Sequence, residues 1–461
     1  MTPQNTTVIH NVTSPVVNEL QETLQGKILI QGDNDYDTAR KVWNGMIDRK
    51  PAFIVQCVNS NDIMTAVNFA RKNNLSLSVK GGGHNVAGNA VCEGGLMIDL
   101  SKMKAIHIDP VKRIATAEPG VLWNEFDRAT QEFALATTGG TVSDTGIAGL
   151  TLGGGLGWLM GKHGATCDNV LSAEIITANG ELRKVDKDNH ADLYWAIRGG
   201  GGNFGIVTKF EYQLHLFGPN VIGGMIFYPM EKAKEVFQFY RSYIRTAPDE
   251  LMSYSGFLVT PDGIPVTFLL PVWTGANEEA EKHLAPLRSF GSPIADLISE
   301  MPYLQLQSII DAAAPTGIRR YWKSGYFKEL TDDLLDIFIR NVASRPSPLS
   351  PVLFFHIRGA AARVARDATA FSHREDQWDS DIISQWTDAA DDEKNISWTR
   401  NFWKEIEPFT KGVYVNHLDA DDNNRVKNAY GENYKRLQEI KRKYDPDNLF
   451  RLNNNIPPKG N

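Results

Sequence analysis

Val79-Lys80-Gly81-Gly82-Gly83-His84-Asn85 places three glycines and a histidine at the end of an alternating apolar run. A β-α-β lead-in precedes it. Phe53-Ile54-Val55 reads as a strand, Asn59-Ser60-Asn61 supplies helix-capping residues, and Ile63, Ala66, Val67 and Ala70 recur at helical spacing. Leu75 to Val79 then alternates like a second strand. Three successive residues without a Cβ let the backbone turn sharply and lay its N–H groups against an anion. His84 faces whatever such a loop holds. On pattern alone this is a phosphate-loop candidate, and short glycine runs also mark plain turns.

Two more glycine clusters follow. One runs from Thr137 through Gly139-Gly140, Val142-Ser143-Asp144-Thr145-Gly146 and Gly149 to Gly153-Gly154-Gly155-Leu156-Gly157. The other is Arg198-Gly199-Gly200-Gly201-Gly202-Asn203-Phe204-Gly205, leading into Ile206-Val207. Each glycine costs backbone entropy on folding, so one extended ligand approached by backbone from three sides is the economical explanation. Three independent bulges or turns in a glycine-rich sheet are the alternative.

The chain has 461 residues, 42% of them hydrophobic and 22% charged, which suits an ordinary globular protein of two or three domains. A net charge of −7 leaves no basic footprint for nucleic acid. No window approaches the roughly 18 consecutive apolar residues of a membrane span. Met1 to Glu19 lacks the basic start and apolar core of a secretory signal, so cytoplasmic residence is expected, with secretion after removal of a signal as the alternative. Cys57, Cys92 and Cys167 are scattered without metal-type spacing, which predicts neither a disulfide framework nor a metal centre. Oligomeric state is left open.

Four regions are expected. Residues 1–50 form a mobile start and one or two helices packing on the first domain, and 51–215 form the glycine-rich domain. Within it Arg113 to Gly120 reads as a strand closed by a turn, and Trp123 to Phe133 as a helix. From 216 to 410 glycine thins and helices lengthen, at Met230 to Arg245, Glu278 to Phe290 and Thr331 to Val342, between strands at Val266 to Val272 and Val352 to Ile357. That pattern reads as α+β with an antiparallel sheet. Ser344 to Pro351 reads as a loop. Residues 411–461 hold one long polar helix, Asn424 to Tyr444, and an extended tail.

These pieces together resemble the berberine-bridge-enzyme-like branch of the FAD-linked oxidases of the vanillyl-alcohol oxidase type. The matching motifs are Lys80-Gly-Gly-Gly-His-Asn85, Gly146-Ile-Ala-Gly149 leading to Gly153-Gly-Gly-Leu-Gly157, and Gly164-Ala-Thr-Cys-Asp-Asn169. Leu193-Tyr-Trp-Ala-Ile-Arg198 with its glycines to Val207, Tyr414-Val-Asn416 and Tyr444-Asp-Pro-Asp-Asn-Leu-Phe450 complete the set in the family's order. The resemblance implies a two-subdomain PCMH-type FAD domain, completed by the C-terminal segment, and a middle substrate domain whose sheet covers the flavin. It implies a covalent bond from His84 to the flavin 8α-methyl group. It also implies cofactor contacts at Lys80, Gly81, Gly82, Gly83, Asn85, Gly88, Val142, Ser143, Gly146, Gly149, Gly154, Gly157, Asn169, Gly205 and Val207. Many relatives attach the flavin again through a cysteine, at the position that aligns with Val142. No second, cysteinyl bond is therefore expected, and Cys167 is read as a packed thiol beside the cofactor. Thr145 aligns with the position associated with oxygen access, and its small size leans toward an oxidase.

The family chemistry implies hydride transfer to flavin N5 while a base removes a proton from the substrate. Tyr414 is the expected base and Asn416 is expected to position flavin or substrate by hydrogen bonds, since a strand would point both to one face, with His417 turned away. A phenol of pKa about 10 needs a neighbouring cation or concerted transfer to act so. His356 and Arg358, alternating on a strand, are either cleft residues or a structural pair. Among Trp273, Tyr303, Tyr321, Trp322, Tyr326, Trp378, Trp386, Trp398 and Trp403, two or three at most are expected to touch substrate. The resulting reading is an FAD oxidase of a small-molecule alcohol carbon, a saccharide lactol oxidised to a lactone being one candidate, with O2 reduced to H2O2. The alternatives are an amine or secondary-metabolite oxidase of the hydroxynicotine type, a dehydrogenase with another acceptor, and a flavin-binding protein without turnover.

Overall fold

The computed structural model describes residues 14–458. The β-α-β lead-in is present. Phe53–Gln56 is a buried strand, and Asn59 caps the helix Ser60–Lys72 by accepting from the Asp62 N–H. Leu77–Lys80 is the second strand. Both strands run parallel to Leu96–Asp99, which lies between them, so the helix makes the crossover that parallel strands require. Ile63, Ala66, Val67 and Ala70 fill the space between helix and sheet. The glycine turn leaves the sheet at the carboxyl end of Leu77–Lys80, the end at which open parallel sheets present their ligand sites.

Ahead of this unit stand the helices Ser14–Glu22 and Tyr36–Ala39, and also a strand that sequence reading misses. Lys27–Leu29 pairs antiparallel with Phe53–Gln56, and three residues are too few for alternation to show. Residues 1–13, where the expected mobile start begins, lie outside the described residues. A second sheet follows, five antiparallel strands in the order Ile106–Asp109, Ile114–Ala117, Ile206–Gln213, Val170–Ile176 and Leu182–Asp186.

The middle of the chain forms one nine-stranded antiparallel sheet. Its central strands run in the order Pro265–Trp273, Leu251–Val259, Val352–Ile357, Gln377–Trp386 and Arg319–Phe327. Side chains alternate between its faces. Phe257, Leu269, Phe354 and Ile382 pack in one core with Phe237, Phe338 and Phe402 of the helices Ala233–Ile244, Asp332–Ala343 and Asp392–Ile406. Phe268, Leu270, Leu353, Phe355, Asp381 and Ile383 point the other way. Helices on one face of an antiparallel sheet, beside mixed sheets, make the fold α+β.

One expected element is different. The single polar helix over Asn424 to Tyr444 is two, Val426–Tyr430 and Tyr434–Tyr444. Gly431 breaks it with φ at 51° and ψ at −133°, a conformation open to a residue without a Cβ.

Candidate active site

A cavity of about 970 Å³ lies between the glycine turns and the open face of the nine-stranded sheet. That volume is at the upper end for cofactor and small-molecule sites. All three glycine clusters reach it: Gly81 to Asn85 from the first, Val142, Thr145, Gly146 and Gly149 from the second, and Gly201, Gly202, Gly205 and Val207 from the third. Backbone meets backbone where the first two clusters join, since a Cβ on Gly82 would fall 2.5 Å from the Gly146 nitrogen. At Gly149 and Gly202 a Cβ would meet nothing within 4 Å, so these glycines leave open space along the wall.

His84 stands just past the first turn. Trp43 stacks on its imidazole, with ring centroids 4.4 Å apart and planes 20° from parallel. Asp144 Oδ1 lies 3.1 Å from His84 Nε2, and this hydrogen bond holds the Asp144 carboxyl below its ordinary pKa. Trp43 arrives from the N-terminal segment, tied by its N–H to the Gly83 carbonyl at 3.0 Å and by its carbonyl to the Gly317 N–H at 2.9 Å.

Tyr414, Asn416 and His417 form the far corner, and their geometry corrects two expectations. The segment is a 3-10 turn, Val415–His417, with Tyr414 at its start, so strand alternation does not apply. Tyr414 and Asn416 still meet, because Asn416 Nδ2 donates to the Tyr414 hydroxyl oxygen at 2.8 Å. The Gly155 N–H donates to the same oxygen, also at 2.8 Å. Burial raises the Tyr414 phenol far above its ordinary pKa, and these two bonds offset only part of the shift.

The turn also brings His417 to the cavity wall instead of turning it away. Its Nδ1 lies 2.8 Å from Asp381 Oδ1 and 3.1 Å from Asp379 Oδ2, and its ring stacks on Trp322 at 4.8 Å. Burial opposes the imidazolium, but the two carboxylates outweigh it and raise His417 to about 10. Asp379 is raised by burial and by the neighbouring Asp381 charge. The three groups offer ligand atoms within 4.8 Å of one another, a spacing that also suits a cation. A protonated His417 would supply that positive charge without an ion. Asp381 accepts from Trp322 Nε1 at 3.1 Å and is the carboxylate of the three-group cluster on the cavity wall.

Six of the expected cofactor residues stand off the wall. The Lys80 ammonium turns back to the Ala39 carbonyl at 2.7 Å. Gly88 packs under Ile47, Ser143 bonds Asp311, and Asn169 donates to the His163 and Ala165 carbonyls. Gly154 packs on Phe371, and a Cβ on Gly157 would lie 1.7 Å from the Gly139 oxygen. These glycines serve close packing behind the wall. Cys167 is fully buried behind it too, with burial pushing its thiol up to about 12. His356 stacks on Trp378 and bonds Asp376, while Arg358 donates to the Pro248 and Leu251 carbonyls, so both are structural. Of the nine aromatics named from the sequence, Trp322 alone lines the cavity. Sequence reading misses Trp43, Tyr254, Asp381, His417 and Asn453. The signal for Asp381 was present: in Gln377–Trp386, the acidic residues Asp379 and Asp381 share the strand face opposite to Trp378 and Ile382.

Comparison with known proteins follows the same outline. A family model for the FAD binding domain matches residues 51–186, and one described as berberine and berberine like matches residues 413–457. An FAD-linked oxidoreductase of Dictyostelium discoideum is 32% identical over 448 residues, covering 96% of this chain and 97% of that protein. The crystal structure of 6-hydroxy-D-nicotine oxidase from Arthrobacter nicotinovorans superposes with a TM-score of 0.86 at 27% identity, covering 95% of this chain and 98% of that one. Chitooligosaccharide oxidase shares the fold, with a TM-score of 0.86 at 22% identity over 96% of this chain and 100% of its own. Among the described residues no helix is long and apolar enough to cross a membrane.

Proposed function

The chain belongs to the berberine-like FAD-linked oxidoreductases, and we propose that it is an oxidase acting on a carbon that carries a hydroxyl or amine group. The observation that carries this reading is a single cavity walled by glycine backbone on one side and by Asp381 and His417 on the other. The residues fit FAD. The wall leaves room at Gly149 and Gly202, and Asn453 beside it has a buried Oδ1 without a hydrogen-bond partner among the described residues. His84 is the attachment residue, and Val142 on the wall offers no sulfur for a second bond. Bound FAD supplies a two-electron acceptor for hydride from the substrate carbon and passes the electrons to O2, which leaves as H2O2.

The residues of the chain hold the substrate and take its proton. Tyr414 accepts from Asn416 and the Gly155 N–H and orders the corner. Asp381 is the proton acceptor, placed 2.8 Å from His417 Nδ1 and oriented by the bond from Trp322. Phe227, Tyr254, Phe268, Leu270 and Phe355 make the substrate wall largely apolar. That wall suits a compact ring or alkyl body better than an oligosaccharide, whose hydroxyls would each need a partner. Amines are the second reading: Asp381 would hold an ammonium group, and the relative named for hydroxynicotine oxidation matches 95% of the chain. Thr145 lies on the wall, and its small size favours admission of O2.

The test is anaerobic. Compact amines, compact alcohols and oligosaccharides are mixed with the holoenzyme, and loss of the oxidised flavin absorbance is followed before air is admitted and H2O2 is measured. Bleaching by a compact amine or alcohol, with H2O2 in air, is expected. Bleaching by oligosaccharides alone, or reduction without H2O2, would contradict the reading.

A further inference from the structure

We propose that Asp144 is the positioning residue for attachment of the cofactor, directing the new bond to Nδ1 of His84; this rests on the reading of His84 as the attachment site. Asp144 Oδ1 lies 3.1 Å from His84 Nε2, while Nδ1 has no protein hydrogen-bond partner among the described residues. An ionised carboxylate only accepts, so it selects the tautomer with the proton on Nε2 and the lone pair on Nδ1.

The arrangement is held from three directions. Trp43 lies over the imidazole and fixes the plane of the ring. The Arg320 guanidinium carbon sits 3.6 Å from the Trp43 ring centroid, and Arg320 is itself anchored to Gln385 and to the Pro315 carbonyl. Thr316 donates to the second oxygen of Asp144, Oδ2, at 3.1 Å. Trp43 comes from the N-terminal segment, His84 and Asp144 from the glycine-rich turns, and Arg320 and Thr316 from the nine-stranded sheet and the loop before it. Attachment therefore follows folding of all three parts.

The chemistry balances with O2 as oxidant. A C–H bond of the flavin 8α-methyl group breaks, its proton goes to water, and the Nδ1 lone pair forms an N–C bond to that carbon. The electron pair from the C–H bond stays on the ring system, which takes up two protons. As Nδ1 gives up its lone pair the imidazole gains positive charge, and Asp144 stabilises that charge until the Nε2 proton leaves to water. O2 then removes the electron pair and two protons as H2O2, and the oxidised cofactor remains bound.

Apoprotein prepared under riboflavin starvation is mixed with FAD, and acid-insoluble flavin is followed with time. Asp144→Asn and Asp144→Ala are expected to bind FAD dissociably yet attach it at least ten-fold more slowly, with Asp144→Glu recovering part of the rate. Magnetic resonance of the flavin peptide from the wild-type protein is expected to show linkage through Nδ1. Attachment by Asp144→Asn at the wild-type rate, or linkage through Nε2, would overturn the proposal. The nitrogen assignment decides alone if the variants fail to fold. Acid-soluble flavin in the wild-type protein, or acid-stable flavin in His84→Ala, would remove the reading of His84 and this proposal with it, a result distinct from slow attachment in the Asp144 variants.

Discussion

Asp381 and Tyr414 divide the work at the far corner of the cavity, and their substitutions separate the two roles. Asp381→Asn keeps the size of the side chain and its bond from Trp322 but removes the charge, so kcat/KM is expected to fall by about 10²–10⁴. Tyr414→Phe loses the hydroxyl that gathers Gly155 and Asn416, and a fall of less than about ten-fold is expected, with flavin content unchanged. Steady-state kinetics on the best substrate decides; a larger loss for Tyr414→Phe would return the base to the phenol. Asp127 poses a different residue-scale problem. Burial raises its carboxyl to about 7, against the hydrogen bond from Gln307, and its Oδ1 and Gln307 Oε1 both lack partners among the described residues. Between pH 3.8 and about 7 the folded chain keeps a proton that the unfolded chain releases, so stability falls as pH rises through that window. Asp127→Asn cannot titrate. Its stability relative to wild type is expected to improve by on the order of 2–4 kcal/mol between pH 4 and pH 8 in urea unfolding. An equal difference at both pH values would contradict it.

At the scale of elements, the glycine turns contain two kinds of glycine that composition does not distinguish. Gly82 and Gly146 let two backbones touch, whereas Gly149 sits in the helix Ile147–Leu152 facing open space. Gly82→Ala and Gly146→Ala are expected to destabilise the apoprotein by at least 1–3 kcal/mol, the usual cost of overpacking. Gly149→Ala is expected to leave apoprotein stability equal or up to about 1 kcal/mol higher, from helix propensity, while weakening FAD binding. Thermal unfolding of apoprotein and flavin titration measure both; a destabilised Gly149→Ala would place that residue in the packing. The same distinction explains what the sequence made legible. The strand Phe53–Gln56, the helix Ser60–Lys72 and the strand Val352–Ile357 announce themselves through hydrophobic period and capping. The strand Lys27–Leu29 is too short to do so. The 3-10 turn Val415–His417 has no period to read, and treating it as a strand turned His417 the wrong way.

Over the whole molecule the site is built from distant parts of the chain. Trp43, His84, Asp144, Asp381 and His417 come from separate segments, and no local pattern ties them together. Motifs located the glycine wall because its chemistry resides in consecutive backbone units. They did not separate wall from packing: Lys80, Gly88, Ser143, Gly154, Gly157 and Asn169 lie in or beside the same motifs and stand off the wall. The substrate side was least legible. Its determinants are single side chains on one face of a nine-stranded sheet, visible once register is known. The glycine wall, the neighbouring carboxylates and the family membership meet in one claim: FAD is carried on His84 alone. Acid precipitation of the purified holoenzyme, followed by mass measurement of its peptides, tests it most directly. Yellow protein in the pellet and an added flavin mass on the peptide containing His84 are expected, with the peptides containing Val142 and Cys167 unmodified. Flavin left entirely in the supernatant, or found on any residue other than His84, would contradict it.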